Sequence, residues 1–457
     1  MDLPVIYHTY LLKFFMKNIF SFFALILFLF ACNNKPEPKT YFTDAFSYCK
    51  TVKQLNEVVK FVGFSPIVAS RNYAYANIAA YECIAAGYPK EYISLSGQLN
   101  GFTMDLSSIK KDTKIDYEFA SLLSFCKVGE SVTFPEGSMH EFVDSVKKVA
   151  NDAGMSSDMF NNSLAFADSV SNQVLAWSKK DNYAQTRSSS RYTVSDVPGR
   201  WVPTPPAYAS AMEPHWNEIR TMVMDSANQF APPPPIPYNM TDKSGPYYKQ
   251  VMAVKNGVDS LSPEQSHIAE FWDDLGGKMN VVGHVMFVTK KFSPPGHWMN
   301  IVGIAAKEAK ASFRKTVAAY ALTGICMFDA FIQCWDAKFH YNMIRPETVI
   351  NKFIDQDWRP YLQTPPFPEY SCGHCTISAA SAEALTKMFG DNMSYKDTSE
   401  LEFGIANRSF PSFRKAAEEN VLARFYGGIH FMPSNKVAHE GGIRVGNYII
   451  DRLKMQK

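Results

Sequence analysis

Residues 314–342 read RKTVAAYALTGICMFDAFIQCWDAKFHYN, and this stretch decides the fold. It is long and apolar enough to be the central helix of a bundle. The segments around it are helical too. EQSHIAEFWDDLGG and MNIVGIAAKEA precede it, and CTISAASAEALTKMF (375–389) follows, closed by Gly390. A further helix over 413–426 is broken by Gly427-Gly428, and a last one lies near 436–453. Upstream, Ser65 caps, Pro66 starts and Gly87 ends the helix containing IVASRNYAYANIAAYECIAAG. Residues 104–128 and 139–180 carry helical periodicity with charged outer faces. The stretch 181–245 differs, with prolines at 203, 205 and 206 and a run from Pro232 to Pro235 that no helix passes through. Trp201, Tyr208 and Trp216 mark it as an ordered loop over the bundle rather than a linker. Few alternating patterns are present and no Asn-Gly or Asp-Gly hairpin lies between such strands, so an all-α fold of packed helix bundles is expected.

The chain of 457 residues is 46% apolar and 20% charged, ordinary globular composition with length for a large core. A net charge of +2, with no basic run and no low-complexity tract, gives no reason to expect a nucleic-acid partner.

The N-terminus reads as a targeting segment. Lys13 and Lys17 precede the apolar run Ile19–Ala31, which is shorter than the roughly 20 residues a spanning helix needs. The run ends in Leu29-Phe30-Ala31-Cys32, the pattern of a bacterial lipoprotein cleavage box. Residues 1–31 are then a signal peptide and Cys32 the lipidated first residue. Residues 32–45 are a polar tether and 46–457 the helical domain, with the active site in about 300–457. The expected location is an exported, lipid-anchored one, periplasmic or cell-surface. Export permits disulfides. The seven other cysteines, at 49, 83, 126, 326, 334, 372 and 375, are odd in number and loosely spaced, and most sit in apolar helical surroundings.

The chemistry concentrates in the C-terminal part. Lys338 and Arg345 are seven positions apart, about 20° short of two full helical turns, so on one continuous helix they share a face. Two cations on a mostly apolar helix call for an anion, and Pro346 ends the helix and fixes how Arg345 projects. Cys372-Gly373-His374 precedes a helix, where free N–H groups and the dipole favour negative charge. Gly373 admits a close ligand, and His374 is suited to acid–base work near neutral pH. Gly296-His297 is the same dipeptide without flanking cations. Arg424 and His430 would lie about 120° apart on one helix, and the Gly427-Gly428 break lets them converge.

KFHYNMIRP (338–346), PEYSCGH (368–374) and ARFYGGIH (423–430), in this order, resemble the vanadium haloperoxidase and type 2 phosphatidic acid phosphatase superfamily. GFSPIVASRNYAYANIAAYE, GRWVPTPPAYASAMEPHW and FSPPGHWMNI resemble its secreted bacterial haloperoxidase-like branch, so the resemblance runs from about residue 60 to the C-terminus. It implies that Lys338, Arg345 and Arg424 neutralise the oxygens of vanadate or phosphate, and that Gly373 donates its N–H. It implies His374 as the acid–base residue and His430 as the vanadium ligand, or as the nucleophile of a phosphatase. The implied cofactor is one vanadate per chain, and the implied substrates are hydrogen peroxide and a halide. A phosphate ester, with no cofactor, is the alternative, and a non-catalytic oxyanion-binding protein is another. Trp335, about one turn before Lys338, is a candidate pocket wall as well as a core residue.

One position departs from the family pattern. Cys372 stands where the family usually has Ser among the oxyanion-binding residues. A thiol donates poorly, its pKa falls at a helix N-terminus beside cations, and peroxide oxidises it. Cys372-Gly-His-Cys375 is also a C-x-x-C, but the βαβ context of a thioredoxin-like protein is missing. A disulfide between Cys372 and Cys375 that switches the site off under oxidation is a further expectation.

Overall fold

The central apolar stretch is a helix from end to end, α9, but the elements before it come first in the chain. The computed structural model describes residues 41–457, apart from 108, 110–112 and 276. The signal peptide, Cys32 and the start of the tether lie outside the described residues. The described residues up to the large loop give α1 (Ala45–Val62), α2 (Pro66–Gly87), α3 (Tyr117–Ser131), α4 (His140–Asp152) and α5 (Ser157–Ser178). After the loop come α6 (Pro246–Asp259), α7 (Pro263–Phe271), the hairpin β1 (Lys278–Val282) and β2 (Val285–Thr289), α8 (Pro294–Glu308) and α9 (Phe313–Tyr341). The C-terminal part holds α10 (Pro346–Phe353), α11 (Gly373–Phe389), β3 (Tyr395–Asp397), β4 (Arg408–Phe410), α12 (Phe413–Tyr426) and α13 (Met432–Arg452). Tyr41–Lys457 forms one unit by its internal contacts.

At about 1.5 Å per residue the helix α9, 29 residues long, spans about 43 Å. Ser312 caps its start by accepting from the Lys315 N–H. By length and composition it would cross a membrane, but its apolar window is wholly buried inside the protein, the mark of a core helix. Gly324 lets α2 lie against it, because a Cβ there would come within 3.3 Å of the Ala74 Cα. On the C-terminal side α13 seats on α11 at Gly442, where a Cβ would come within 2.1 Å of the Thr376 carbonyl oxygen. The site lies where α9, α11 and α12 meet.

Several expectations need correction. α9 does not reach Arg345: Asn342 takes a left-handed φ of 51° and closes it, and Arg345 is extended and caps α10. Lys338 and Arg345 therefore do not share a helix face. Periodicity over 104–128 becomes helix only from Tyr117, because Asp116 caps there. Over 139–180 the pattern splits into α4 and α5 at Gly154, whose φ is 82°. The last helix starts at Met432, one turn early. Two short antiparallel hairpins form, β1–β2 across Gly283-His284 and β3–β4. From Tyr41 on, the expected tether is part of the body: Phe42 is buried and stacks on Phe119. The 181–245 stretch is irregular as expected apart from single turns of helix at Tyr183–Thr186 and 3₁₀ at Trp216–Glu218, with Trp201 and Trp216 buried, but Tyr208 is exposed rather than an anchor.

Candidate active site

Segment 367–371 is the hub of the site. It is the last part of the loop between α10 and α11 and presents its carbonyls inward. Lys338, in the last turn of α9, donates Nζ to the carbonyls of Pro368 (2.9 Å), Glu369 (3.1 Å) and Ser371. Arg345 donates Nε to Phe367 O (2.9 Å) and Nη1 to Ile429 O (2.8 Å). Both cations lie 4.9 Å from the centre of the Phe367 ring. The pair that helical spacing was expected to align is thus brought together by this segment.

His430 sits just beyond the Gly427-Gly428 break and is buried. Its Nδ1 is 2.9 Å from a Glu369 carboxylate oxygen, and its Nε2 is 3.1 Å from Arg345 Nη1. Glu369 also accepts from the Phe431 N–H (3.0 Å) and the Ser434 hydroxyl (2.7 Å). These partners assign the proton to Nδ1 and leave Nε2 as the lone-pair nitrogen facing the cations. Glu369 was missed in the sequence although it stands inside PEYSCGH. Its signal was a carboxylate among prolines and aromatics, a place where a charge needs a partner.

His374 is the second residue of α11. Its Nε2 is 3.3 Å from Arg424 Nη1, and Arg424 Nη2 donates to the carbonyl of Trp272. Gly373 precedes it, and a Cβ at 373 would come within 3.3 Å of the Trp335 ring, so glycine permits that close approach. Trp335 is both core and wall: it is buried, donates Nε1 to Met212 O (3.1 Å) and lines a cavity beside His374 and Arg424. That cavity, of about 30 Å³, has Phe331, Phe367 and Pro365 on its apolar side. A hollow of about 280 Å³ continues it outward, sharing Pro66, Met212 and Gln363 and bearing Pro205 and Pro206. The proline-rich loop therefore lies at the mouth.

Of the two readings of Cys372, a thiol or a disulfide with Cys375, the structure has the second. Cys372 is bonded to Cys375, with Cα atoms 5.4 Å apart, so neither sulfur is a thiol. Both are buried beside Val421, Ala438 and Met432. Cys372 Sγ accepts the Cys375 N–H at 3.1 Å, the capping role a serine hydroxyl would fill. Among the described residues, Cys49, Cys83, Cys126, Cys326 and Cys334 are free thiols.

Burial dominates the electrostatics. It pushes Lys338 down to about 7 and Arg345 down to about 9, and it lowers Arg424. His374 and His430 fall well below 6.5, first by burial and then by the neighbouring cations. Burial raises Glu369. Among the described residues, the buried Arg345 Nη2 and Arg424 Nε have no hydrogen-bond acceptor. Orphaned guanidinium donors, cations displaced toward neutrality and a lone-pair imidazole fit a tetrahedral oxyanion, vanadate included.

A pH-dependent effect of anions follows. Without an anion, Lys338 holds fewer protons in the folded than in the unfolded chain between about pH 7 and its ordinary 10.5, so its charging cost is fully felt below about pH 7 and fades as pH rises. Sulfate, doubly charged throughout, should therefore raise Tm more at pH 7 than at pH 9.5. An equal rise at both pH values would contradict this.

A family model described as the VCPO second helical-bundle domain matches residues 318–456. No curated protein matches the sequence. The crystal structure of a bacterial vanadium-dependent iodoperoxidase is 40% identical with a TM-score of 0.84, covering 92% of this chain and 99% of that one. Holo- and apo-type bacterial vanadium-dependent chloroperoxidases share the fold, at TM-scores of 0.59 and 0.62 and identities of 13% and 15%. They cover 85% of this chain and 92% and 94% of theirs. Identity of 40% over nearly the whole of both chains places this protein in the vanadium-dependent haloperoxidase family.

Proposed function

We propose that this chain is a vanadate-dependent haloperoxidase that oxidises halide with hydrogen peroxide, working at the Lys338–Arg345–Arg424 cluster. The observation that carries the reading is the pair of buried acceptorless donors, Arg345 Nη2, on the guanidinium that lies against His430 Nε2, and Arg424 Nε, on the guanidinium that lies against His374. Bound there, vanadate supplies a Lewis-acid centre that activates peroxide toward halide. His430 Nε2 would ligate it, and Glu369 holds that nitrogen's tautomer. Lys338, Arg345 and Arg424 balance its charge, and Gly373, at the helix start, offers an N–H without an intrahelical partner. His374, close to neutral imidazole, takes or returns a proton beside Arg424. The wall of Trp335, Phe331 and Phe367 limits water. Iodide is the halide to try first, because the 40% identical structure is an iodoperoxidase.

The test uses the chain from Asn33 onward. Iodide oxidation by peroxide should require vanadate and saturate near one equivalent, with no hydrolysis of an aryl phosphate. Phosphate-ester hydrolysis without halide oxidation would replace the reading with the phosphatase alternative.

The same proposal places the protein outside the cytoplasm, held to a membrane by a lipid on Cys32. Leu29-Phe30-Ala31-Cys32 supports it. Labelling with a radioactive fatty acid should mark the full-length protein and fail with Cys32→Ala. Equal labelling of the variant would contradict the anchor.

A further inference from the structure

His297 lies in a nest of carboxylates behind the site. Its Nδ1 is 2.9 Å from an Asp274 oxygen, and its Nε2 is 3.0 Å from Asp397. Glu400 brings a third carboxylate to 3.8 Å from the same Nδ1. All four side chains are buried. The nest collects one residue from each of four places: the turn after α7, α8, β3 and the 3₁₀ turn that follows β3. Lys291 is the cation beside Glu400, at 3.8 Å, beyond hydrogen-bond range.

The carboxylates are under-served. Among the described residues, both Glu400 oxygens and Asp274 Oδ2 have no hydrogen-bond donor. Asp397, by contrast, receives the Ser399 N–H at 2.9 Å as well as the imidazole. A buried carboxylate oxygen without a donor carries its desolvation cost uncompensated. The His297 ring, held toward its charged form by Asp274 and Asp397, still leaves three such oxygens unserved, and they point to a further, missing positive centre.

We infer that Asp274, His297 and Glu400 form a divalent-metal site, suited to zinc, next to the vanadate pocket, whose wall Asp274 shares. Their ligating atoms lie within 4.8 Å of one another. Tetrahedral zinc bonds of about 2.0–2.2 Å put neighbouring ligand atoms about 3.3–3.6 Å apart, and the 2.9 and 3.8 Å separations lie on either side of that range. One imidazole with two carboxylates suits borderline first-row ions better than calcium or magnesium, which favour all-oxygen sets. Metal binding would displace the Nδ1 proton to solvent, and Nε2–H would keep its bond to Asp397, the outer carboxylate that fixes the ring of a ligating histidine.

The position gives such an ion a structural role. The Trp272 ring stacks on His297 at 4.9 Å, and the Trp272 carbonyl accepts from Arg424. An ion on His297 would brace the turn that holds Arg424 in place.

Chelator-treated protein, titrated calorimetrically with zinc chloride, should take up one tightly held equivalent per chain. Glu400→Gln, nearly isosteric, should lose that equivalent, and Asp397→Asn should weaken it about 10–100-fold. No tight equivalent in the wild type, or unchanged binding in Glu400→Gln, would overturn the site. If the variant fails to fold, zinc-edge anomalous scattering from crystals of the unaltered protein decides. A peak among Asp274, His297 and Glu400 supports the inference, and a zinc-soaked crystal without one contradicts it. Halide oxidation is not read in any arm, so failure here leaves the vanadate reading standing, and the reverse.

Discussion

His430→Ala should reduce vanadate-dependent iodide oxidation to the uncatalysed background while the chain stays folded. The histidine does two things that alanine cannot. It offers Nε2 to the anion pocket, 3.1 Å from Arg345, and it gives the buried Glu369 its imidazole partner at 2.9 Å. Glu369 would keep the Phe431 N–H and the Ser434 hydroxyl, so the local structure is expected to survive. Circular dichroism separates loss of site from loss of fold. Activity within tenfold of wild type in a folded variant would remove His430 from its role.

The second large effect belongs to Glu369, which sequence reading passed over. Glu369→Gln preserves shape but removes the charge that fixes His430. An outer partner of a ligating histidine is commonly worth about 10–100-fold in affinity, so the vanadate concentration for half-maximal activity should rise by that factor. Glu369→Ala should also lower stability, by about 3–5 kcal/mol. The buried Lys338 and Arg345 would lose the nearest carboxylate that offsets their charge. Urea unfolding with and without sulfate measures it, and sulfate should restore part of the loss. A Gln variant with unchanged vanadate dependence would show that Glu369 serves folding alone.

These two residues also mark where the sequence was legible and where it was not. The helices were readable because their signals are local: Ser65-Pro66 at a start, Gly390 at an end, an unbroken apolar run in α9. The cations and both histidines were readable as motifs, and they do meet. How they meet was not. Spacing put Lys338 and Arg345 on one helix face, but Asn342 ends the helix and the carbonyls of 367–371 gather them. Glu369 acquires its meaning only from His430, 61 positions away. His297 reads as an idle Gly-His because its carboxylates come from the turn after α7, from β3 and from the 3₁₀ turn beyond it. Cys372 reads in the sequence as a thiol among cations or as half of a disulfide with Cys375. Its neighbour three positions on closes a disulfide, and the side chain packs with apolar residues instead.

The most direct measurement is a crystal structure of the protein soaked with vanadate. Vanadium is expected bonded to His430 Nε2, with Arg345 Nη2 and Arg424 Nε donating to its oxygens. Vanadate bound elsewhere, or an empty pocket at a concentration that supports full activity, would contradict the account.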